Sequence, residues 1–553
     1  SRFELVGGPV AYADVGDFIL ENDKVRAAIL DAGRSWGPGV FGGSLVDLDI
    51  RRKDGRYPEG SGRDRFAEVF PFANLLVPAP TSAEVSVFAD GSDGKEATVR
   101  VTGKGYAMLH SLYVMRDNKT TLEAIGFKDI KADVSFETDY SLRPGEQFVR
   151  MTTRIMLDDP PTEKGSCSDK KKCADGLVCK RDKPEDLAGT CVCAALKCGL
   201  DCLALRRDAN GCDECVCSDK VLLDVVRGNE GVIDIILGDS PIVTKTSERA
   251  GGMGGGDFLF FGKHNKQFVP DHGFDQEDAT WTAWFNGRDT FAKPFIFDYV
   301  AAVGGDVSYA YYTVKRNPGD PEPKVAVPVF TSTATPFVAA AKNCLQDKSD
   351  DLTCDRQRIY EYERFLAVGP GDAASVIEVL ERHRGKALGR VTGFVRWADT
   401  GAAAANATVL VFRDPEPGRV WNDIDELVKA NIAKYDAPGV VNAIDADVGV
   451  DEREDGDFAT SLPAGDYVLV GRDHGAIVFS KPVSLKIEAD QARVALVSLP
   501  TPAQIHVRVT DETGAKLPAK VTLLRLDDDG NPLEHDGNRR VFAGQGRLGS
   551  GVE

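Results

Sequence analysis

Residues 84–103, EVSVFADGSDGKEATVRVTG, carry the signal that decides the fold class of this chain. Two runs in which apolar and polar residues alternate lie on either side of Asp90-Gly91 and Asp93-Gly94. Alternation is the period of a half-buried strand, and Asp-Gly is a dipeptide that tight hairpin turns favour. The stretch therefore predicts two antiparallel strands joined by a short loop.

Runs of the same kind extend along the chain in both directions. Val25–Ile29 precedes the hairpin, Phe148–Met156 follows it, and strand-like residues resume at Val221 (VLLDVVRGNEGVIDIILGD). Many short strands cut by Gly and Asp predict a mainly β chain. We expect one large β-sandwich domain, of which the mutarotase-like supersandwich is one form, built from residues 1–164 and 221–385.

The clearest helical pattern is DAASVIEVLERHR, residues 372–384. Asp372 is a favoured N-cap residue, Val376 and Leu380 fall on one face, and Gly385 is a favoured stop. The pattern predicts a helix followed by a domain boundary at about 386–389.

Cysteine use predicts the compartment. The chain has 12 cysteines, an even number, and ten of them fall in one Lys- and Asp-rich stretch that interrupts the strand pattern. Such clustering indicates disulfides, with a zinc site as the alternative, and disulfides indicate a secreted or cell-surface protein, extracellular or periplasmic. We predict that residues 165–220 are a disulfide-rich insert bridged only to itself, and that the two remaining cysteines pair with each other. The predicted disulfide residues are Cys167, Cys173, Cys179, Cys191, Cys193, Cys198, Cys202, Cys212, Cys215 and Cys217 in the insert, and Cys344 with Cys354.

The net charge and the hydropathy of the chain limit the classes of partner that it is expected to bind. The chain carries 67 Lys and Arg against 86 Asp and Glu, a net charge of −19, so it repels phosphate backbones and anionic lipid. Nucleic acid is therefore not an expected partner. No run of about 18 apolar residues occurs, so no transmembrane segment is expected. Because the chain begins at Ser1 without a charged and apolar leader, we interpret it as a processed form.

Residues 389–500 resemble a transthyretin-like, carboxypeptidase-regulatory-like β-sandwich. The residues that carry the resemblance are Gly389-x-Val391-x-Gly393-x-Val395, Asn406-Ala407-Thr408-Val409, Asp455-Gly456-x-Phe458 and Leu462-Pro463-Ala464-Gly465-x-Tyr467. The resemblance implies a module over 386–500, interrupted by an acidic insertion from Asp414 to Asp455. The resemblance also implies that a second, similar module starts in 501–553. Modules of this kind usually connect, stiffen or bind.

The insert resembles two small disulfide modules. Cys198 to Cys217 is similar to the second half of an antistasin-type module, and Cys167 to Cys193 is similar to an EGF-like or knottin-like loop. The antistasin resemblance implies protease inhibition as a minor alternative function.

Several segments in fixed order resemble the N-terminal region of large exported bacterial proteins of the polymerase-and-histidinol-phosphatase (PHP) metallohydrolase family, the carbaryl-hydrolase-like group. They are PVAYADVGDFILENDKVRAAILDAG (9–33), GGSLVDLDI (42–50), RFAEVFPF (65–72), DYVAAVGGDVSYAY (298–311) and YERFLAVGPGDAASV (362–376). In that group the β-rich region precedes a hydrolase domain that begins with a metal-binding His-x-His pair. None of the 7 histidines here forms that pair. The resemblance therefore implies that the catalytic domain lies outside these residues.

We accordingly expect a non-catalytic extracellular scaffold, binding or assembly region that requires no cofactor. Its partners would be protein or carbohydrate at the cell surface, or further copies of itself. The alternative is that the large sandwich is itself a carbohydrate-active or carbohydrate-binding mutarotase-like domain, and its sign would be two facing carboxylates in a cleft.

Two candidate sites follow from local composition. Exposed aromatic and charged side chains can form a sugar- or peptide-binding groove, and the residues predicted to do so are Asp271, His272, Asp275, Trp281, Trp284 and Arg288. Acidic loops favour Ca²⁺, although neither loop follows an EF-hand spacing. The first loop holds Asp445, Asp447, Asp451, Asp455 and Asp457, and the second Asp527–Asp529.

Overall fold

The fold is taken from a computed structural model. It describes residues 4–34, 42–52, 62–73, 76–78, 82–107, 134–157, 166–168, 177–180, 188–193, 202–207, 213–217, 255–262, 265–274, 295–315, 325–327, 359–405, 407–448, 455–473, 478–501, 508–515, 534–535 and 538–539. The chain divides into two units, Ser1–Gly385 and Lys386–Glu553. The finer division of the chain into four parts stays a prediction.

Unit 1 consists mainly of strands, as the alternating runs predicted. Its strands are β1 (Phe18–Glu21), β2 (Val25–Ile29), β3 (Leu45–Ile50), β4 (Phe66–Ala73), β5 (Leu76–Pro78), β6 (Glu84–Asp90), β7 (Ala97–Ala107), β8 (Val134–Leu142), β9 (Phe148–Leu157), β10 (Ser166–Ser168), β11 (Leu177–Lys180), β12 (Ala188–Cys193), β13 (Cys202–Arg207), β14 (Asp213–Cys217), β15 (Gly255–Phe261), β16 (Lys266–Phe268), β17 (Phe295–Phe297), β18 (Tyr299–Val303), β19 (Ser308–Tyr312), β20 (Val325–Val327) and β21 (Ile359–Gly369). The helix α1 (Ala373–His383) follows them.

Fourteen of these strands form one antiparallel sheet, in the order β1-β2-β3-β4-β5-β7-β8-β9-β21-β19-β18-β16, with β15 beside β4 and β6 beside β7. The Tyr309 hydroxyl on β19 donates to the Leu48 carbonyl on β3 at 3.0 Å, and the Tyr309 ring lies 5.4 Å from Phe66. Because β3 and β19 are far apart in the strand order, this contact means that the sheet folds over on itself. The two halves enclose one hydrophobic core, and the mainly β, sandwich-type prediction is confirmed.

The hairpin predicted from the Asp-Gly signals is β6 and β7, which pair antiparallel. Gly91 and Gly94 both have positive φ, +70° and +76°, which a residue with a side chain rarely adopts. The local turn chemistry therefore determines this element.

The large sheet combines strands from both sides of the cysteine-rich segment. β9 pairs with β21 along nine residues, and β4 pairs with β15. The segment itself holds a three-stranded sheet, β10-β12-β11, and a two-stranded sheet, β13-β14. Cys179 lies opposite Cys191, and Cys202 opposite Cys217, but the cysteine side chains lie outside the described part of the structure, as do Cys344 and Cys354. The disulfide pattern stays a prediction.

Deleting residues 165–219 and joining the ends with a short flexible linker should leave unit 1 folded. The pairs β9–β21 and β4–β15 use no residue of the deleted segment, and a compact domain tolerates changes in a surface insertion. Thermal unfolding followed by circular dichroism would check this, with a cooperative transition as the expected result. Loss of cooperative unfolding would show that the segment is needed for the fold.

A buried ion pair connects opposite parts of the unit 1 sandwich. Arg364 on β21 and Asp257 on β15 have no solvent exposure, and two nitrogens of the guanidinium donate to the two carboxylate oxygens at 2.5 and 2.6 Å. Arg364 also donates to Thr153 Oγ1 at 2.7 Å, and the Tyr311 hydroxyl donates to Asp257 at 2.7 Å. Both charges therefore have the several partners that burial requires.

The helix α1 begins and ends as predicted. Asp372 accepts a hydrogen bond from the Ser375 backbone N–H at 3.0 Å, Leu380 is buried, and Gly385 follows with a φ of +70°. At the last turn His383 stacks on Phe148, with ring centroids 4.2 Å apart, and meets the edge of Phe365 at 4.4 Å.

Burial, together with the smaller effects of the neighbouring Arg150 and Arg384, lowers the pKa of His383 to about 4. The Tyr312 hydroxyl lies 2.9 Å from Nδ1. A helix C-terminus favours a protonated histidine by about 0.3–1 kcal/mol, so desolvation and the two arginines outweigh it. His383 is therefore neutral at pH 7.

We expect His383 to make unit 1 sensitive to acid. A histidine whose folded pKa is lowered contributes stability that is complete above its unfolded pKa of about 6.5 and is lost as the pH falls towards 4. Relative to His383→Phe, which keeps an aromatic ring, the native chain should lose about 2–3 kcal/mol between pH 6.5 and 4. Urea titrations of both chains across this range would measure the difference. If the difference in free energy of unfolding between the two chains stays constant from pH 6.5 to 4, the acid sensitivity does not come from the titration of His383.

Unit 2 contains a smaller sandwich. The elements of unit 2 are β22 (Leu388–Trp397), β23 (Ala407–Arg413), α2 (Ile424–Tyr435), β24 (Val440–Asp445), β25 (Asp457–Pro463), β26 (Gly465–Asp473), β27 (Val483–Ile487), β28 (Ala492–Leu499), β29 (Glu534–His535) and β30 (Asn538–Arg539). β29 and β30 form a two-stranded sheet of their own. One sheet has the order β25-β22-β28 and the other β24-β23-β26-β27. The sheets pack face to face at Gly471 of β26, where an added Cβ would lie 2.5 Å from Val497 of β28.

The structure explains the two glycines of the first strand of unit 2. A Cβ at Gly389 would clash with the Glu488 carbonyl, and a Cβ at Gly393 would clash with the Ala495 carbonyl and the Phe458 ring. The alternation Gly389-x-Val391-x-Gly393 thus places small residues where backbone and ring approach the strand closely.

Candidate functional site

The predicted aromatic groove is described only at its start. Asp271 and His272 lie in a tight turn closed by the Gly273 N–H, which donates to the Val269 carbonyl at 2.9 Å. Asp271 has a φ of +67°, and the His272 ring meets the edge of Phe297 at 5.7 Å. Asp275, Trp281, Trp284 and Arg288 lie outside the described residues. The groove stays a prediction.

The acidic loop of unit 2 gathers three of the five predicted carboxylates. Oxygens of Asp447, Asp455 and Asp457 all lie within 4.8 Å of one another. Asp447 has a φ of +64°, and its carboxylate accepts the Gly456 N–H at 2.7 Å, which folds the two ends of the loop together. Asp445 accepts a hydrogen bond from Thr408 Oγ1 at 2.6 Å instead. Asp451, like Asp527–Asp529, lies outside the described residues.

The electrostatics of this cluster favour a cation. Burial raises the pKa of Asp447, and the nearby Asp455 raises it further. Among the described atoms, Asp447 Oδ2 and Asp455 Oδ1 are buried without a hydrogen-bond partner. Ca²⁺ takes six to eight oxygens, so three carboxylates supply only part of a coordination shell. Ca²⁺ binding at this cluster stays a prediction.

Unit 1 holds a second group of carboxylates, which sequence reasoning did not single out. Asp47 and Asp64 have no solvent exposure. Asp47 accepts the Tyr12 and Ala13 N–H groups at 2.7 and 3.1 Å, and Asp64 accepts the Leu48 N–H at 2.8 Å. Burial raises the pKa of Asp47 to about 6 and raises that of Asp64 well above its usual range. Both carboxylates bind backbone N–H groups, and neither is exposed to solvent.

One pocket among the described residues of unit 1 lies beside the core. It is lined by Gly42, Gly43, Ser44, Phe70, Pro71, Pro78, Val101, Phe136 and Thr138. None of these residues has an acidic or basic side chain, so this pocket offers no acid and base for a hydrolytic mechanism.

Unit 2 exposes several large apolar side chains on the outer face of the sheet β25-β22-β28. Phe394 of β22 is 40% exposed, and Val494 and Leu496 of β28 are 75% and 58% exposed. The register places Phe394 beside Leu496 and Thr392 beside Val494, so the three apolar side chains are contiguous on one face. We call Phe394, Val494 and Leu496 the apolar face of unit 2. Sequence alternation in ARVALVSL (492–499) predicts a strand but does not say that the side at 494 and 496 is the uncovered one.

The strand β28 also forms an edge. It pairs with β22 along all eight of its residues without a shift in register, and no described strand pairs with its other side. Proteins usually protect an exposed edge with charges, proline or a bulge. β28 contains no proline and a single charge, Arg493. Within the described part of unit 2, this edge is therefore unpaired and competent to accept another strand.

Two arginines flank the apolar face. Arg390 and Arg396 lie on β22 on the same side as Phe394, and the Arg396 guanidinium lies 5.1 Å from the Phe394 ring centre. No described residue forms an ion pair with either arginine. Asp457 lies opposite Phe394 on β25, on the side of β22 away from β28.

Comparisons with known proteins do not assign a family. No family model matches the chain, and no curated protein matches it. One solved structure with some similarity is that of GBS52, the minor pilin of the Gram-positive pathogen Streptococcus agalactiae, at 13% identity over 44% of this chain and 85% of that chain. The TM-score is 0.15, which is too low to support any conclusion about this chain. Among the described helices, neither has the length and apolar character that crossing a bilayer requires.

Proposed function

We propose that this chain is a non-catalytic region of a secreted or cell-surface protein and binds another protein chain through the apolar face of unit 2. The observation that carries the proposal is an exposed, contiguous apolar face beside an unprotected strand edge. Exposed apolar surface of this kind indicates an interaction site, because leaving it in water costs about 25 cal/mol per Å².

Two features of the sequence support the other parts of the proposal. The clustering of ten cysteines supports an oxidising, extracytoplasmic location. The resemblance to the region before the catalytic domain of exported PHP proteins, and the resemblance of 389–500 to regulatory-like modules, support a scaffold or binding role.

Photocrosslinking from the apolar face would test the proposal. We expect a photoreactive phenylalanine analogue in place of Val494 to give a discrete protein adduct with a cell-surface fraction of the source cells. The same group in place of Val420, a valine of unit 2 that is 84% exposed but lies outside the apolar face, is the matched control. Excess native chain should suppress the adduct, and excess Leu496→Lys chain should not. Identical patterns from the two positions, or no adduct from Val494, would contradict the proposal.

A further inference from the structure

The geometry of β28 restricts the kind of partner that the apolar face can bind, an inference that rests on the proposed function. Seven residues of an added strand would span about 20 Å, since each step along a strand is about 3.3 Å. Arg390 and Arg396 are six residues apart on β22 and therefore lie the same distance from each other. On β28, which would lie between β22 and an added strand, Arg390 is beside Ala492 and Arg396 is beside Ser498. Alternate residues of an added strand would therefore lie level with Arg390, Val494, Leu496 and Arg396 in turn, with only the small side chains of Ala492 and Ser498 between them and the two arginines.

Charge favours acidic residues at the two ends of that strand. The chain carries a net charge of −19, yet both groups that flank the apolar face are guanidiniums without a carboxylate partner among the described residues. A local positive charge in an acidic molecule attracts an acidic partner and sets its register.

A second copy of the chain fits this surface less well. Two β28 strands paired antiparallel about Ala495 would place Val494 opposite Leu496, which is sterically suitable. Such a pair would place the four guanidiniums of two copies on one face, and the second copy would bring no carboxylate to the β28 side of the apolar face. Each copy also carries a net charge of −19.

We propose that β28 accepts an extended strand from a different protein, apolar at alternate positions and acidic at both ends of the contact. The backbone of the partner pairs with the free edge of β28, its alternate apolar side chains cover Val494 and Leu496, and its terminal carboxylates meet Arg390 and Arg396. This is the strand-addition mode of peptide recognition, in which backbone pairing provides affinity and side chains provide specificity.

Synthetic heptapeptides and the full chain would test this directly. The probe is Glu-Thr-Val-Thr-Leu-Thr-Glu, and the first control replaces both glutamates with lysine. The second control carries N-methyl groups on alternate amides, which removes backbone donors but keeps the side chains. By titration calorimetry we expect the acidic peptide to bind at least tenfold more tightly than either control. Hydrogen exchange should slow in β28 when it binds.

Variants of the chain separate the contribution of the apolar face to peptide binding from that of the two arginines. Val494→Lys with Leu496→Lys should abolish binding of the acidic peptide, and Val420→Lys should leave it unchanged. Arg390→Glu with Arg396→Glu should reverse the preference to the lysine peptide. Thermal unfolding of each variant would show that it is folded.

The results also separate this inference from the proposed function. Equal binding of the acidic and N-methylated peptides would overturn strand addition, as would absence of binding of the acidic peptide. A dimer in sedimentation analysis that the Val494→Lys variant loses would make a second copy the occupant. In each of these cases a specific crosslink from Val494 would still support a binding role for the apolar face, and its absence would refute that role separately.

Discussion

Replacing Arg364 with methionine should lower the free energy of unfolding of unit 1 by about 3–5 kcal/mol. The substitution leaves the Asp257 carboxylate with no solvent exposure and without its two guanidinium donors. It also removes the donor to Thr153 Oγ1. An uncompensated buried charge costs far more than the net contribution of the pair, because both ions were already desolvated on folding.

A double-mutant cycle would isolate this effect. Arg364→Met combined with Asp257→Leu should be far less destabilising than the sum of the two single changes, because no charge is left buried. Arg154→Met is the matched control, since Arg154 pairs with Glu137 at 2.6 Å on the same sheet but is 31% exposed. It should cost less than about 1 kcal/mol. Urea unfolding of the native chain, the two single variants, the double variant and the control would give the values. A double variant as destabilised as the sum of its two single changes would contradict the interpretation.

Replacing Gly393 with valine should unfold the sandwich of unit 2. A Cβ at this position would lie well under 3.0 Å from the Ala495 carbonyl oxygen, a backbone atom that cannot move without breaking the β22–β28 pairing. The Phe458 ring, which is 1% exposed, approaches the same point from the core. Overpacking in a core costs about 1–3 kcal/mol even when side chains alone must shift, so a clash with backbone should exceed about 3 kcal/mol.

The neighbouring residue provides the control. Thr392→Val changes a half-exposed side chain on the other face of β22 and should alter stability by no more than about 0.5 kcal/mol. Limited proteolysis with mass spectrometry would distinguish the two variants, because Gly393→Val should expose cleavage sites within 386–500 while fragments of unit 1 persist. A Gly393→Val chain as resistant as the native one would show that the sandwich can accommodate a Cβ there.

Local signals predicted local elements well. The Asp-Gly turns of 84–103 and the Asp372 cap each act within a few residues, so their outcome does not depend on distant parts of the chain. Helix α2 was missed, although a signal was present. Asp423 accepts the Glu426 N–H at 2.9 Å, and Asp423-x-x-Glu426 has the spacing of a helix N-terminus. The acidic composition of the region led to its interpretation as an insertion, without a predicted helix.

In the candidate sites, too, the sequence predicted local features but not the arrangement of residues from distant parts of the chain. Sequence grouped five aspartates in one loop, but alternation along β24 sends Asp445 to Thr408, whereas the left-handed backbone at Asp447 turns its carboxylate towards Asp455 and Asp457. The apolar face could not be found from sequence. Val494 and Val497 are both valines of one alternating run, three residues apart and on opposite faces of β28. Only the position of the second sheet makes Val494 exposed and Val497 buried.

The sequence by itself therefore determined that the chain is mainly β, where its strongest hairpin lies and where its best helix begins and ends, since these depend on side-chain period and turn chemistry over short distances. Only the tertiary structure decided that Arg364 meets Asp257 across 107 residues, and that β28 pairs parallel with β22 at the edge of its sheet. The reason is physical. Pairing between distant strands depends on the total surface that each arrangement buries, so a residue's own neighbours in the sequence do not say which strand lies beside it, or whether any strand does.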